Sequence, residues 1–258
     1  MTNDNTKTSN SSIKRALQII EIVASSNQAM TATEINRQLQ LPKPTIHRLC
    51  AQLVEENFLQ ASFDGKGFVC AKKLNNIALS VLSNNDFNRA QRHRVLENLS
   101  SKLGETCNIA VLDGDMSIYF DRVETHWPLR VQLQVNDRVP LHCTASGKLF
   151  LSELSSVQRS RIINRLPLTQ HTDNTLTSSQ ALKPELSRIK KQQIGIDNEE
   201  FLQGMIAVAV PIRDQHQRMF AVLAMHAPTA RISIEQALEN IPLMRKASQD
   251  LANLIEID

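Results

Sequence analysis

Apolar positions recur at three- and four-residue spacing from Ile13 to Val54, and beyond Gly104 they begin to alternate by twos. The change of period separates a helical opening from a sheet-bearing remainder. In the opening, Ile13, Ala16, Leu17, Ile20 and Val23 make one stripe, with Ser12 as the expected cap. A shorter helix starts at Thr31. Its hydroxyl and Glu34, three residues on, spell a capping box, and Ile35 and Leu39 supply an apolar face. Leu41, Pro42, Lys43 and Pro44 then break the pattern. Pro44 suits the first position of the next helix, because it has no N–H to leave unbonded there. In that helix Ile46, Leu49, Leu53 and Val54 share a side, leaving Lys43, Thr45, His47, Arg48 and Gln52 on the others. Residues 31–56 therefore predict a helix-turn-helix, with the first helix packed across it as a third. Residues 58–63 and 68–70 read as strands around the turn Asp64, Gly65, Lys66, Gly67. A hairpin placed directly after a helix-turn-helix predicts a winged helix.

Leu74, Ile77, Ala78, Val81 and Leu82 continue as a connecting helix whose stripe could pack on a second subunit. Residues 83–86 interrupt it, and a longer helix over 87–103 ends at Gly104 as a C-terminal cap. Strands are expected at 107–112, 117–123 and 129–134, the first two joined by Asp113, Gly114 and Asp115. Helices follow at 155–165 and 178–193, then extended runs at 195–200, 205–212 and 219–227. A last amphipathic helix runs from near Ser233 close to the end. The fold class is α+β in two domains, the second with a mostly antiparallel sheet flanked by helices. The expected boundaries are a disordered tail over 1–11, a DNA-binding domain over 12–73, a linker helix over 74–86 and a second domain over 87–258. Neither G-x-G-x-x-G nor a Walker loop occurs, so no nucleotide fold is signalled and no cofactor is expected.

Composition sharpens this in one respect. Net charge is +3, and residues 1–73 hold nine Lys/Arg against six Asp/Glu while the remainder holds twenty of each. The whole surplus thus sits on the helical opening, as a module contacting phosphates requires. The polar start is no signal peptide, and no apolar run approaches the roughly 20 residues that span a bilayer. Cys50, Cys70, Cys107 and Cys143 are far apart without a Cys-x-x-Cys pair, which suits reduced thiols in a cytoplasmic protein.

For DNA, Thr45, His47 and Arg48 lie near the start of the second helix, where side chains reach base edges in the major groove. Arg48 can clamp a guanine with two hydrogen bonds; the competing role is an ion pair with Glu55 or Glu56. Lys43 and Lys66 are placed to neutralise phosphates, Lys66 between two glycines at the wing tip.

Several segments, in order, resemble the isocitrate lyase regulator (IclR) family of bacterial transcription factors. They are Leu41-Pro42-Lys43-Pro44-Thr45-Ile46-His47-Arg48-Leu49, Gly104-Glu105-Thr106, the run from Arg138 to Lys148, Gly195-Ile196-Asp197-Asn198-Glu199-Glu200, and the run from Gly204 to Pro211. The resemblance implies a winged helix, a dimerising linker helix and a GAF-like effector domain. It also implies homodimers or homotetramers on double-stranded operator DNA near catabolic operons, with a small carboxylate effector and either repression or activation. The family usually has a hydroxyl residue where Pro44 stands, so one phosphate contact is expected to be missing.

Thr144-Ala145-Ser146-Gly147 opens a helix, and helix starts attract anions. The family holds a carboxylate on backbone N–H groups of this loop, which implies Ala145 and Ser146. Asp197 matches a family pocket acid; its competing role is to cap its own loop. Family members that bind small polar acids often carry Cys or Ser on the two central strands, where this chain has Ala207, Ala224 and His226. Those departures imply a pocket with fewer polar contacts, suited to a larger acid, aromatic or sugar-derived. His142, Cys143, Cys107 and His226 lack local metal-ligand spacing, and alternation would turn His142 and Cys143 to opposite sides, so no metal is expected. Glu199 and Glu200 would diverge on a strand and Cys143 with His142 is no dyad by sequence, so the chain is not expected to be an enzyme. The alternative is a GAF-like sensor acting through protein contacts, against which the winged-helix segment argues.

Overall fold

Ser11, one residue before the expected cap, receives the amide of Lys14 on its hydroxyl at 3.2 Å and starts the first helix. The computed structural model describes residues 11–26, 28–62, 65–84, 86–130 and 133–255. They form two compact units divided between Val81 and Leu82. All but the last residue of the expected tail over 1–11 lies outside the described residues.

The first unit holds α1 (Ser12–Ala24), α2 (Ala32–Leu39), α3 (Lys43–Glu55), β1 (Leu59–Ala61) and β2 (Phe68–Cys70). The capping box on α2 forms as spelled, with Thr31 N donating to Glu34 Oε2 at 2.7 Å and Glu34 N to Thr31 Oγ1 at 3.2 Å. Asn36 fixes the corner between α2 and α3 by bonding both the N–H and the C=O of Leu41 at 2.8 Å. Ile19, Val23, Ile35, Ile46, Leu49, Leu53 and Leu59 close the core. Each such burial is worth about 1.5–3 kcal/mol. β1 is shorter than the strand expected over 58–63. Phe58 N–H goes back to Leu53 O and finishes the helix end, and Phe63 and Asp64 lie outside the described residues. Met30 bridges to Phe68, so the wing is tied back to the loop before α2.

α4 (Lys72–Asn84) crosses the division between the units, and α5 (Asp86–Leu103) begins the long helix that Gly104 ends at φ +72°. The second unit is built on one six-stranded antiparallel sheet in the order β5-β4-β3-β8-β7-β6. Its strands are β3 (Thr106–Asp113), β4 (Met116–Val123), β5 (Arg138–Pro140), β6 (Gly195–Asn198), β7 (Met205–Arg213) and β8 (Met219–Pro228). Two hairpins, β3–β4 and β7–β8, meet at the β3–β8 ladder. α5 and α10 (Ile241–Ile255) pack on one face, and α6 (Ala145–Glu153) packs on the other together with α8 (Ser179–Gln192). α7 (Ser156–Ile163) follows α6, and α9 (Ile234–Glu239) precedes α10.

Three expectations need correction. The strand expected at 129–134 does not form at Leu129 and Arg130, which belong to a bend, and Val131 and Gln132 lie outside the described residues. The Leu129 carbonyl is instead taken by the Arg231 guanidinium at 3.4 Å. The extended run expected over 195–200 stops at Asn198, because Glu199 turns at φ 58°. The single C-terminal helix is two, broken at Asn240 just before Pro242.

Candidate DNA-reading helix and effector site

Pro42 caps α3, whose first turn closes through Thr45 N and Ile46 N on Pro42 O at 2.9 and 3.2 Å. Pro44 thus occupies the second helical position, one later than expected, again without an N–H to lose. Ile46, Leu49, Cys50 and Leu53 are buried, which turns Lys43, His47 and Arg48 out to solvent and leaves Thr45 half-buried. Arg48 does not make the ion pair considered for it. Its Nη1 donates to Gln52 Oε1 at 3.1 Å, while Glu56 faces Lys73 at 3.8 Å. A bond to a neutral partner on an exposed face is readily exchanged. Lys66 is exposed at the wing tip, between Gly65 at φ +70° and Gly67, which lies on the backbone of Met30.

The candidate effector site grows from α6. Thr144 caps this helix, accepting from Gly147 N at 3.2 Å and donating to Pro140 O at 2.6 Å. The first intrahelical bond runs from Lys148 N to Thr144 O at 2.9 Å, so the Ala145 and Ser146 amides precede it. Both residues are buried. Two glycines allow α6 to sit this close. A Cβ on Gly147 would stand 2.4 Å from Leu141 Cα, and one on Gly195 of β6 would stand 2.2 Å from Ala145 O. Lys148 is fully buried and bonds Glu200 and, at 3.1 Å, Glu185, which pins α6 to the loop after β6.

The sheet face under α6 follows from the registers. Asp197 is opposite Ala207, and Ala207 opposite His226. In the next row Gly195, Ala209, Ala224, Asn108 and Arg122 are successive partners from β6 to β4. The expected residues Asp197, Ala207, Ala224 and His226 are thereby brought together on one face. Asp197 is buried and accepts the amides of Glu200 at 2.8 Å and Phe201 at 3.3 Å, so the loop-capping role holds. Burial nevertheless pushes its carboxyl up to about 7 against those amides. Burial likewise drives His226 down to about 3, with the Arg122 charge adding to it, so the ring is neutral. His226 Nε2 lies 2.7 Å from Asn108 Oδ1, and its ring lies 5.9 Å from that of Tyr119.

Asn108, Tyr119 and Arg122 are the residues that the sequence did not point to. All three are buried. Asn108 Nδ2 has no hydrogen-bond partner among the described residues, and a buried unmet donor costs about 1–3 kcal/mol. The Arg122 guanidinium lies 5.7 Å from the Tyr119 ring and its Nε is 3.5 Å from Glu124. Simple alternation would put residues 119 and 122 on opposite faces. A bulge between Ile109 and Ala110 shifts the register and puts them on the same one.

His142 and Cys143 are not turned apart as expected. Residues 141–144 form a bend after β5, where strand alternation does not apply, and ligand atoms of His142, Cys143 and His171 come within 4.8 Å of one another. His142 Nε2 is already 2.9 Å from Thr169 O, and burial raises the Cys143 thiol to about 12. An open surface cleft of about 430 Å³ between the end of α8, the β7–β8 turn and α10 lies away from all of these groups.

Comparison with known proteins agrees with this architecture. The family model described as bacterial transcriptional regulator IclR C-terminal matches residues 79–253, and the IclR helix-turn-helix domain model matches residues 12–62. The chain is 40% identical over 243 residues to the probable transcriptional regulator SauR of Cupriavidus necator, covering 94% of this chain and 96% of that one. It is 29% identical over 242 residues to the transcriptional repressor IclR of Escherichia coli, covering 93% and 88%. Among solved structures, it is similar to a double mutant of the PobR inducer-binding domain from Acinetobacter in complex with 3-hydroxybenzoic acid. That likeness has 26% identity and a TM-score of 0.59, over 63% of this chain and 96% of that one. With a winged helix at one end, an antiparallel effector domain at the other and both family models matched in order, the chain belongs to the IclR family of bacterial transcriptional regulators.

Proposed function

We propose that the chain is a ligand-responsive regulator of a catabolic operon, which binds its operator in the cytoplasm as a homodimer or homotetramer. The observation that carries the DNA half is the start of α3. Its apolar side is locked into the core, and Lys43, His47 and Arg48 stand exposed along the opposite side. Thr45, His47 and Arg48 read base edges, and Lys43 and Lys66 neutralise phosphates. The effector is a small carboxylate, with aromatic and sugar-derived acids as the leading candidates. The α6 amides of Ala145 and Ser146 hold its carboxylate. Asp197 and His226 meet its polar groups, and Ala207 and Ala224 leave room for its body. The PobR domain that holds a hydroxybenzoate supports an aromatic acid. Effector binding shifts the spacing of the two winged helices and so changes operator affinity.

Two measurements test this. Duplexes selected from a randomised pool by the wild-type chain are titrated against Arg48→Ala. Binding weaker by a factor of roughly 10–100, matching about 1–3 kcal/mol, is expected, with relaxed preference at one base pair. Unchanged binding and preference would remove Arg48 from the reading set. Thermal melting against a panel of aliphatic, sugar and aromatic carboxylates then checks the effector, since a bound ligand raises Tm by mass action.

A further inference from the structure

On the face beneath α6, the row Gly195, Ala209, Ala224, Asn108, Arg122 has a polar pole at each end. Over Gly195 stands the start of α6, with Ala145 in contact. At the far end stand the buried guanidinium of Arg122 and, one strand inward, the Asn108 amide. His226 Nε2 lies 2.7 Å from Asn108 Oδ1, and Asn108 Nδ2 is a fully buried donor with no acceptor among the described residues. Adjacent strands lie roughly 4.8 Å apart. Between the poles this row offers only the methyls of Ala209 and Ala224. A guanidinium beside an amide donor is the arrangement that recognises an oxyanion.

We propose that Arg122 and Asn108 form a second anion subsite, and that the effector is a short acid bearing a second oxyanion at the end away from α6. The inference rests on the carboxylate reading above and adds the opposite end of the ligand. One oxyanion sits on the Ala145 and Ser146 amides. The other takes hydrogen bonds from Asn108 Nδ2 and the Arg122 guanidinium, and an apolar linker crosses the alanine methyls.

Isothermal titration of the full chain with malonate, succinate, glutarate and adipate, each beside its methyl half-ester, tests the subsite. The half-ester keeps the carbon chain of the diacid, lacks one charge and adds one methyl. At least one diacid should bind, and its half-ester should bind at least tenfold more weakly. Arg122→Gln should erase that difference. Asn108→Ala should lower diacid affinity several-fold and half-ester affinity little; it removes the unmet Nδ2 donor but also the acceptor of His226 Nε2, so the Tm of the free protein should fall modestly without loss of the fold. This variant keeps the test valid if Arg122→Gln fails to fold. A half-ester that binds as tightly as its diacid would overturn the proposal, as would variants that weaken both ligands equally. Binding of monocarboxylates alone would overturn it and leave the carboxylate reading standing. Absence of binding by every diacid would overturn the proposal, and absence of any hit in the wider carboxylate panel as well would overturn both.

Discussion

Asp197 carries its pH dependence in its surroundings. Its carboxyl titrates at about 7 in the folded chain against an ordinary 3.8, because burial outweighs the two amides that it accepts. A folded value above the unfolded one favours folding below pH 4, and that contribution disappears as pH rises to 7. Asp197→Asn should therefore gain stability over wild type as pH climbs from 4 to 8, by at most roughly 4 kcal/mol. Urea unfolding of both proteins across that range measures it. A gap that does not change with pH would show that the carboxyl titrates normally. On the proposed effector reading, the same proton affects binding. An anionic ligand nearby disfavours the carboxylate, so binding takes up a proton and affinity should fall as pH rises through 7. At the wing, Lys66→Ala should weaken all duplexes alike and reduce the slope of log affinity against log salt by about 1.

At the scale of elements, α6 is the part that the site depends on most. Its whole length from Ala145 to Ser152 is buried, and Gly147 and Gly195 set how near it comes to the sheet and the loop before it. Gly195→Ala would drive a methyl into the Ala145 carbonyl and must displace the helix start. A loss of about 1–3 kcal/mol and loss of effector binding are expected, read by unfolding and titration. Most of the helices are legible from spacing and caps: Thr31 with Glu34 and Gly104 do what their positions imply, and Pro44 stands one position later than expected. The site was legible in part. Ala145, Ser146, Asp197, Ala207, Ala224 and His226 were marked by the family pattern, and the registers bring four of them to one sheet face. Arg122 and Tyr119 were hidden by the bulge, since a register shift is set by tertiary pairing and leaves no trace in alternation. The break at Asn240 leaves no mark because the apolar stripe continues through it, and the bend at Leu129 and Arg130 leaves none because apolar Leu129, Val131 and Leu133 alternate as a strand would.

For the whole molecule, two units with separate cores must exchange information if an effector is to change transcription. Coupling of that kind is typically 1–3 kcal/mol, and it is reciprocal. Operator DNA should therefore change effector affinity by the same factor by which effector changes operator affinity, some 5- to 150-fold. Anisotropy with and without effector, and calorimetry with and without operator, give the two factors independently. Unequal factors would mean that assembly, and not one two-state shift, intervenes between the sites.

Burial of three of the four cysteines, with Cys70 half-buried, has a consequence for observing such motion. Cys50 lies in the core of the winged helix with its thiol raised to about 11, and Cys107 and Cys143 lie buried in the effector domain with theirs raised as well. Thiolate is the species that alkylating reagents consume, so the closed chain should resist them at these three positions. Each reaction then counts openings of one region: Cys50 for the winged helix, Cys107 for the sheet, Cys143 for the bend before α6. A bound effector should slow modification at Cys143 far more than at Cys50, and bound operator should do the reverse. Mass spectrometry of partially alkylated protein would thus time, in the native sequence and without an added label, how each half of the regulator breathes.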